Sequence, residues 1–248
     1  MNLKKTFNKK VAIVTGGAGG IGSEISIQLA KANFHVIITY LTSKDNALKL
    51  EQEIRNQGGS ASAYFLDISK MLDVKNMFEY LIDTYERIDV IINNAGTMIP
   101  SLLIDLSEDL INNIINVNLI GCINMLNQSS IHLNDFGVII NISSTVVEEC
   151  NVYSGLYAAS KSAIEKLGKV AAKELGKRGI RVNSIRIGPT IPGMFSKAPK
   201  ERQMALINQS PFNRLGSPKD VANLILYLIS DEGKWINRQV ITSDGGLF

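Results

Sequence analysis

Short apolar runs alternate along the chain with longer stretches in which apolar positions recur every three or four residues. The runs at 11–14, 36–38, 63–66, 90–92, 138–140 and 182–187 are rich in β-branched residues and mostly apolar at successive positions. Such runs read as strands buried on both faces, as parallel strands covered by helices are. A last strand falls at 240–241. Helical periodicity spans 20–32, 43–57, 70–86, 107–134, 155–178 and 217–230. Gly58-Gly59, Gly137 and Gly179 mark the ends of three of these helices. The alternation predicts an α/β fold: a single-domain, doubly wound parallel sheet of about seven strands with helices on both faces and right-handed crossovers. No composition shift, linker or repeat divides residues 1–248. The irregular stretch 188–210, with Pro189, Pro192, Gly193 and Pro199, reads as a lid over a substrate site.

Composition narrows the class. Across 248 residues, 45% are hydrophobic, ample for a core, which excludes intrinsic disorder. Lys plus Arg is 26 against 23 for Asp plus Glu, too balanced to signal a nucleic-acid partner by bulk charge. With two cysteines and two histidines, neither a disulfide scaffold nor a structural zinc site is expected, and the cysteine usage fits a reducing compartment. Lys4, Lys5, Lys9 and Lys10 open the chain with no apolar stretch behind them, so no secretion signal is read there. No run of about 18 apolar residues offers a membrane span. A cytoplasmic protein is the expectation. Charge is unevenly spread: residues 88–160 hold no Lys or Arg but include Asp135, Glu148 and Glu149.

Two motifs carry chemistry. Thr15-Gly16-Gly17-Ala18-Gly19-Gly20-Ile21-Gly22 lies between the first strand and the first helix. Glycines there allow a tight turn and close approach of a pyrophosphate to the helix N-terminus, and the strand-before, helix-after context supports dinucleotide binding. Tyr157 and Lys161 are four residues apart, hence on one helix face. An ammonium beside a phenol stabilises tyrosinate and would lower a pKa that is ordinarily about 10, making Tyr157 a proton donor and acceptor. Asp67 reads as a helix N-cap, Asn118 as a polar residue distorting its helix, and Ser144 as a strand-end cap.

Taken with Asn93-Asn94-Ala95-Gly96, Asn116-Val117-Asn118, Asn141-Ile142-Ser143-Ser144, Arg181-Val182-Asn183 and Asp244-Gly245-Gly246, these motifs make the chain resemble the short-chain dehydrogenase/reductase family. The resemblance runs from about Lys10 to Gly246. It implies a Rossmann fold and an oxidoreductase with Asn118, Ser144, Tyr157 and Lys161 as catalytic residues. Tyr157 would exchange a proton with the substrate oxygen, Ser144 (rather than Ser143) would hydrogen-bond that oxygen, Lys161 would hold the nicotinamide ribose, and Asn118 would order a proton-relay water. Cofactor contacts are implied for Gly16, Gly20, Ile21, Gly22, Asp67, Ile68, Asn94, Ala95, Gly96, Tyr157, Lys161 and Gly188. One departure from the family pattern lies after the sixth strand. Ile187 replaces the usual proline before Gly188, and Pro192 stands where a threonine is usual, leaving Thr190 as a substitute contact. The resemblance also implies a homotetramer, with a dimer as the second choice.

A second departure concerns the nicotinamide. An NAD enzyme of this fold places an acid about 20 residues beyond the glycine motif, on the ribose 2′-OH. Here that count reaches Tyr40, and no acid occurs before Asp45. With Thr42, Ser43 and Lys44 opening the next helix, NADP(H) is favoured over NAD(H). The subgroup most resembled is the 3-oxoacyl-(acyl-carrier-protein) reductases. A small carbonyl or alcohol, or an acyl thioester, is the expected substrate, because the acidic 88–160 segment speaks against docking an acidic carrier. A regulator that binds cofactor without catalysis is the alternative of a different class, opposed by the presence of all four catalytic-type residues.

Overall fold

The computed structural model describes residues 8–248, so the opening segment with Lys4 and Lys5 lies outside the described residues. In chain order the elements are β1 (Val11–Val14), α1 (Gly20–Lys31), β2 (His35–Tyr40), α2 (Lys44–Asn56), β3 (Ser60–Phe65), α3 (Met71–Tyr85) and β4 (Val90–Asn93). Next come α4 (Glu108–Ile115), α5 (Gly121–His132), β5 (Val138–Ser144), α6 (Val146–Glu149), α7 (Gly155–Glu174), β6 (Arg181–Ile187), α8 (Lys200–Gln209), α9 (Pro218–Ile229) and β7 (Val240–Ser243). All seven strands are parallel, in the order β3-β2-β1-β4-β5-β6-β7. The expected doubly wound sheet is what forms.

Its two faces arise from the period-2 alternation of strand side chains. Ala12 and Val14 of β1 join Val36, Ile38 and Ile92 in a core covered by Ile25 and Leu29 of α1, Leu50 and Ile54 of α2 and Ile225 and Leu228 of α9. Val11 and Ile13 point the other way, where Ile37, Ile91 and Ile139 pack under Val74, Phe78 and Leu81 of α3, Met125 of α5 and Ala172 of α7. Strand order reverses between β1 and β4. Such a switch point opens a crevice beyond the carboxyl ends of the strands, and ligands of open α/β sheets bind there.

β3 and β5 run as Ser60–Phe65 and Val138–Ser144, beyond the apolar runs expected at 63–66 and 138–140, and three larger differences concern helices. The helix expected over 107–134 is two helices joined by a π-turn, Asn116–Ile120, in which the Gly121 N–H donates to the Asn116 carbonyl five residues back. The long helix ends at Glu174 rather than 178, with a separate 3₁₀ turn at Gly176–Arg178. Finally, the 188–210 stretch is not wholly irregular: α8 occupies Lys200–Gln209, with buried Gln203 donating to the Ala198 carbonyl at 2.8 Å. Polar composition and three prolines hid a helix that has a weak apolar face.

One buried titratable group sits far from the switch point. His35 begins β2 beside Ser60 Oγ (2.7 Å) and Ser62 Oγ (3.3 Å), with its ring 4.6 Å from that of Tyr85. Burial, and secondarily the Arg55 and Lys9 cations, push its pKa from 6.5 down to about 4. The folded state therefore stays neutral while the unfolded chain takes up a proton below 6.5. Stability is at its full value above that pH and falls progressively as pH drops toward 4, by roughly 2–3 kcal/mol at most for this residue. Urea unfolding at pH 7 and pH 4.5 should give a smaller pH difference for His35→Gln than for the unsubstituted protein. Equal differences would remove His35 as the cause.

Candidate active site

The glycine turn between β1 and α1 is closed by contacts that leave no room for side chains. Gly16 sits at φ +61, and a Cβ on Gly22 would fall 2.4 Å from the Gly16 carbonyl oxygen and 2.7 Å from Asn94 Nδ2. α1 begins at Gly20 with Gly19 as N-cap, and no side chain caps it. The first-turn N–H groups thus face the crevice with the helix dipole behind them, the arrangement that receives a phosphate. The Asn93–Gly96 turn is tied to this one. Asn94 Nδ2 donates to the Thr15 carbonyl (2.9 Å), and the Asn94 and Ala95 N–H groups donate to Thr15 Oγ1 (2.9 and 3.0 Å). A dinucleotide pyrophosphate fits this cradle.

At the far end, β2 finishes at Tyr40, whose ring meets Phe65 edge-on at 6.0 Å. Leu41, Thr42, Ser43 and Lys44 come next, exposed, at the start of α2. Asp67 does not cap α3 as the sequence suggested; Lys70 holds that position. Instead Asp67 Oδ1 accepts from the Ser69 N–H (3.0 Å) and hydroxyl (2.6 Å). Partial burial pushes its pKa up, but these bonds and Lys70 outweigh it and hold the carboxyl below its ordinary range. Ile68 is buried against Gly121, where a Cβ would come within 2.6 Å of it, and its carbonyl accepts from Asn124 Nδ2 at 2.9 Å.

Asn118, Ser144, Tyr157 and Lys161 converge where β4 and β5 end. Asn118 is 2% exposed and lies within the π-turn. Its Oδ1 accepts from the Thr97 N–H (2.8 Å), and its Nδ2 donates to the Thr97 carbonyl (2.9 Å) and to Ser160 Oγ (3.1 Å). The residue added by a π-turn rotates the following helix relative to the preceding one, and Asn118 lies at that distortion of its helix. Lys161 Nζ donates to the Ile142 carbonyl at 2.8 Å and stands 5.8 Å from the Tyr157 ring centroid. A Cβ on Gly96 would lie 3.3 Å from both Asn118 Oδ1 and Lys161 Nζ, so the Asn93–Gly96 turn passes directly over the pair. The Ser144 hydroxyl accepts from the Val146 N–H at 3.3 Å and is the neighbour that acts to lower the pKa of the Tyr157 phenol.

Electrostatics here departs from the sequence reading. Burial pushes the Tyr157 phenol up to about 12, and Ser144 opposes this only in part. Lys161 goes the other way, to about 8, because burial penalises its charge. The expectation that the ammonium depresses the phenol is thus overridden by desolvation of both groups. What results is a phenol that stays protonated across the neutral range, beside an amine that titrates within reach of it.

On the β6 side, Gly188 packs against Asp244, where a Cβ would come within 2.7 Å. Thr190 is buried, and its hydroxyl donates to the Gly188 carbonyl at 2.9 Å, so that proton is engaged inside its own loop. Gly193 approaches the glycine turn, its Cα 2.9 Å from where a Gly20 Cβ would stand; the 188–210 stretch therefore starts on top of the phosphate cradle. Sequence reasoning did not single out Ser160, Thr97 or the charged pair Glu165 and Arg186. A signal for the last existed: Glu165 lies four residues beyond Lys161 and eight beyond Tyr157, on the buried face of an otherwise amphipathic helix.

Similarity to known proteins agrees with this geometry. A family model described as enoyl-(acyl carrier protein) reductase matches residues 16–248. A short-chain dehydrogenase/reductase of Pestalotiopsis microspora is 35% identical over 96% of this chain and 94% of its own length. A 3-oxoacyl-(acyl-carrier-protein) reductase of Staphylococcus epidermidis is 33% identical over 96% of this chain and 99% of its own. Among solved structures, a short-chain dehydrogenase from Burkholderia cenocepacia in complex with NADP superposes with a TM-score of 0.90 at 30% identity, covering 98% of this chain and 99% of that one. A blue fluorescent protein from a metagenomic library, in complex with NADPH, superposes at 0.91 with 30% identity, over 98% and 99% of the two chains. The chain belongs to the short-chain dehydrogenase/reductase family and is an oxidoreductase.

Proposed function

We propose that this oxidoreductase is NADP(H)-dependent and moves a hydride between the nicotinamide and a carbonyl or alcohol, with Tyr157 as general acid and base. The observation carrying this reading is the convergence of Tyr157, Ser144, Lys161 and Asn118 beside an uncapped glycine turn. When bound, the dinucleotide supplies or accepts the hydride. Gly16, Gly20, Ile21 and Gly22 would hold its phosphates on α1, and Asn94, Ala95, Gly96, Tyr157 and Lys161 its nicotinamide ribose. Asp67 and Ile68 would face the adenine, and Gly188 and Thr190 the carboxamide side. Ser144 would fix the substrate oxygen against Tyr157 Oη, which gives its proton in reduction and takes one in oxidation. A phenol held protonated to about pH 12 suits the donor role. Lys161 and Asn118 would return a proton to it.

Phosphate preference rests on the residues at and just beyond the end of β2. Tyr40 stands where an acid would repel a 2′-phosphate, and Thr42, Ser43 and Lys44 lie exposed at the N-terminus of α2. Calorimetric titration should find tighter binding of NADPH than of NADH, with Tyr40→Asp moving the preference toward NADH. Tighter NADH binding to the unsubstituted protein overturns the NADP(H) reading. For assembly we favour a homotetramer built on α5 and α7, on which Ile131 and Val170 are exposed.

For the substrate we favour a free carbonyl compound or simple thioester over one delivered on an acidic carrier protein. Arg178, a candidate docking cation, is already engaged. It pairs with Asp135 at 2.8 Å and donates to the Ser130 and Leu133 carbonyls. Arg186 is likewise held by Glu148 and Glu165. Docking by charge needs free cations near the cleft and weakens with salt. Comparing kcat/KM for free and carrier-bound 3-oxoacyl thioesters at low salt should give no large advantage to the bound form. A strong advantage that fades as salt is added would restore the carrier-protein reading.

A further inference from the structure

Beneath the catalytic face of α7 lies a charged network that hydride transfer itself does not require. Glu165 is 4% exposed, one helical turn past Lys161. Its carboxylate accepts a two-pronged pair from Arg186 of β6, 2.8 Å from Nε to Oε1 and 2.8 Å from Nη2 to Oε2. Ser143 Oγ donates to the same Oε1 at 2.6 Å. Arg186 lies opposite Ser143 in the β5–β6 register, and Ser144 opposite Ile187. The remaining edge of the guanidinium reaches outward, with Nη1 2.5 Å from Glu148 Oε1 on α6. α6 belongs to the segment 145–156, which leaves the site at Ser144 and re-enters it at Tyr157.

We propose that the Glu165–Arg186 pair is a positioning element of the active site, clamping the end of β5 that carries Ser144 to the α7 face that carries Tyr157 and Lys161, and tethering the α6 wall through Glu148. The inference rests on the roles proposed for Ser144 and Tyr157. A buried ion pair is weak evidence for stability, because apolar residues of similar volume commonly do as well or better. What apolar packing lacks is direction. A planar guanidinium with fixed donors holds two carboxylates at set angles, Glu165 of α7 and Glu148 of α6, and Ser143 of β5 joins them by donating to the Glu165 carboxylate. Glu165 and Arg186 contact neither the phenol nor the Lys161 ammonium, so their role is geometric rather than chemical.

The pair Glu165→Leu/Arg186→Met tests this. The double variant should match or exceed the parent unfolding midpoint, yet lose about tenfold in kcat/KM, since small misplacements of reacting groups are costly. Deuterium exchange at the amides of 145–153 should quicken. Glu148→Gln, a surface change that leaves the core pair intact, should raise KM about threefold to fivefold with kcat little changed, the range of a partly exposed ion pair, and should quicken the same amides. Parent kinetics and parent exchange in a folded double variant would refute the proposal. If the double variant does not fold, unchanged KM and exchange in Glu148→Gln refute it equally. Should the parent protein reduce no carbonyl, the functional reading fails, while the exchange data still decide whether the pair holds the α6 wall.

Discussion

Tyr157→Phe should lower kcat about 10²–10⁴-fold, the range general acid catalysis supplies, while the protein folds and binds dinucleotide nearly as before. The ring is buried at 9% exposure and phenylalanine fills the same space, so only the hydroxyl is lost. The parent pH profile should carry a matching signature. With the phenol at about 12 and Lys161 at about 8, the donor is intact throughout the neutral range. The ammonium is present below pH 8 and lost above it, so carbonyl reduction should decline as pH rises through about 8. Nicotinamide absorbance reads out both. Turnover of the Phe variant within tenfold of the parent would falsify the assignment of Tyr157 as proton donor.

Gly22→Ala should weaken dinucleotide binding at least tenfold and cost about 1–3 kcal/mol of stability, as overpacking a tight site does. The added methyl would sit 2.4 Å from a backbone carbonyl and 2.7 Å from the Asn94 amide. Neither is the free end of a flexible side chain, because Asn94 is bonded to the Thr15 carbonyl. Relief therefore requires α1 to move off the turn, and with it the first-turn N–H groups that would receive the phosphates. Calorimetric titration and urea unfolding read the two losses separately. Parent affinity in this variant would show that the close approach of Gly22 to Gly16 has no part in binding.

Much of the site was legible before the fold because its members carry chemistry with a fixed local spacing. The glycine turn needs a strand before it and a helix after it, and both are written in the alternation of apolar runs. Tyr157 and Lys161 share a helix face by arithmetic alone. Ser144 and Asn118 were legible only through the family resemblance, since a strand-end serine and a mid-helix asparagine have ordinary uses. Ser160 and Thr97 stayed hidden because their roles are to hold Asn118, and a hydrogen-bond partner 42 or 21 residues away leaves no local trace. Glu165 was the nearest miss: a carboxylate on a buried helical face calls for a partner, but nothing in the spacing points to Arg186.

Hydrophobic periodicity by itself determined that this chain forms a sheet of about seven strands and helices that cover it, because the central strands, covered on both faces, must be apolar throughout; β3 and β7 at the edges are only partly buried. The glycine turn and the Tyr157/Lys161 spacing were likewise determined locally, by backbone sterics and helix geometry. Tertiary structure decided the rest. It broke the helix expected over 107–134 at a π-turn so that Asn118 could reach Thr97 and Ser160, and it folded a helix into the proline-bearing stretch beyond β6. It also reversed the expected shift at Tyr157, driving the phenol up and the amine down. The reason is common to all three. Periodicity and spacing report which face of an element is apolar, whereas long-range hydrogen bonds and desolvation depend on what the other elements bring to that face.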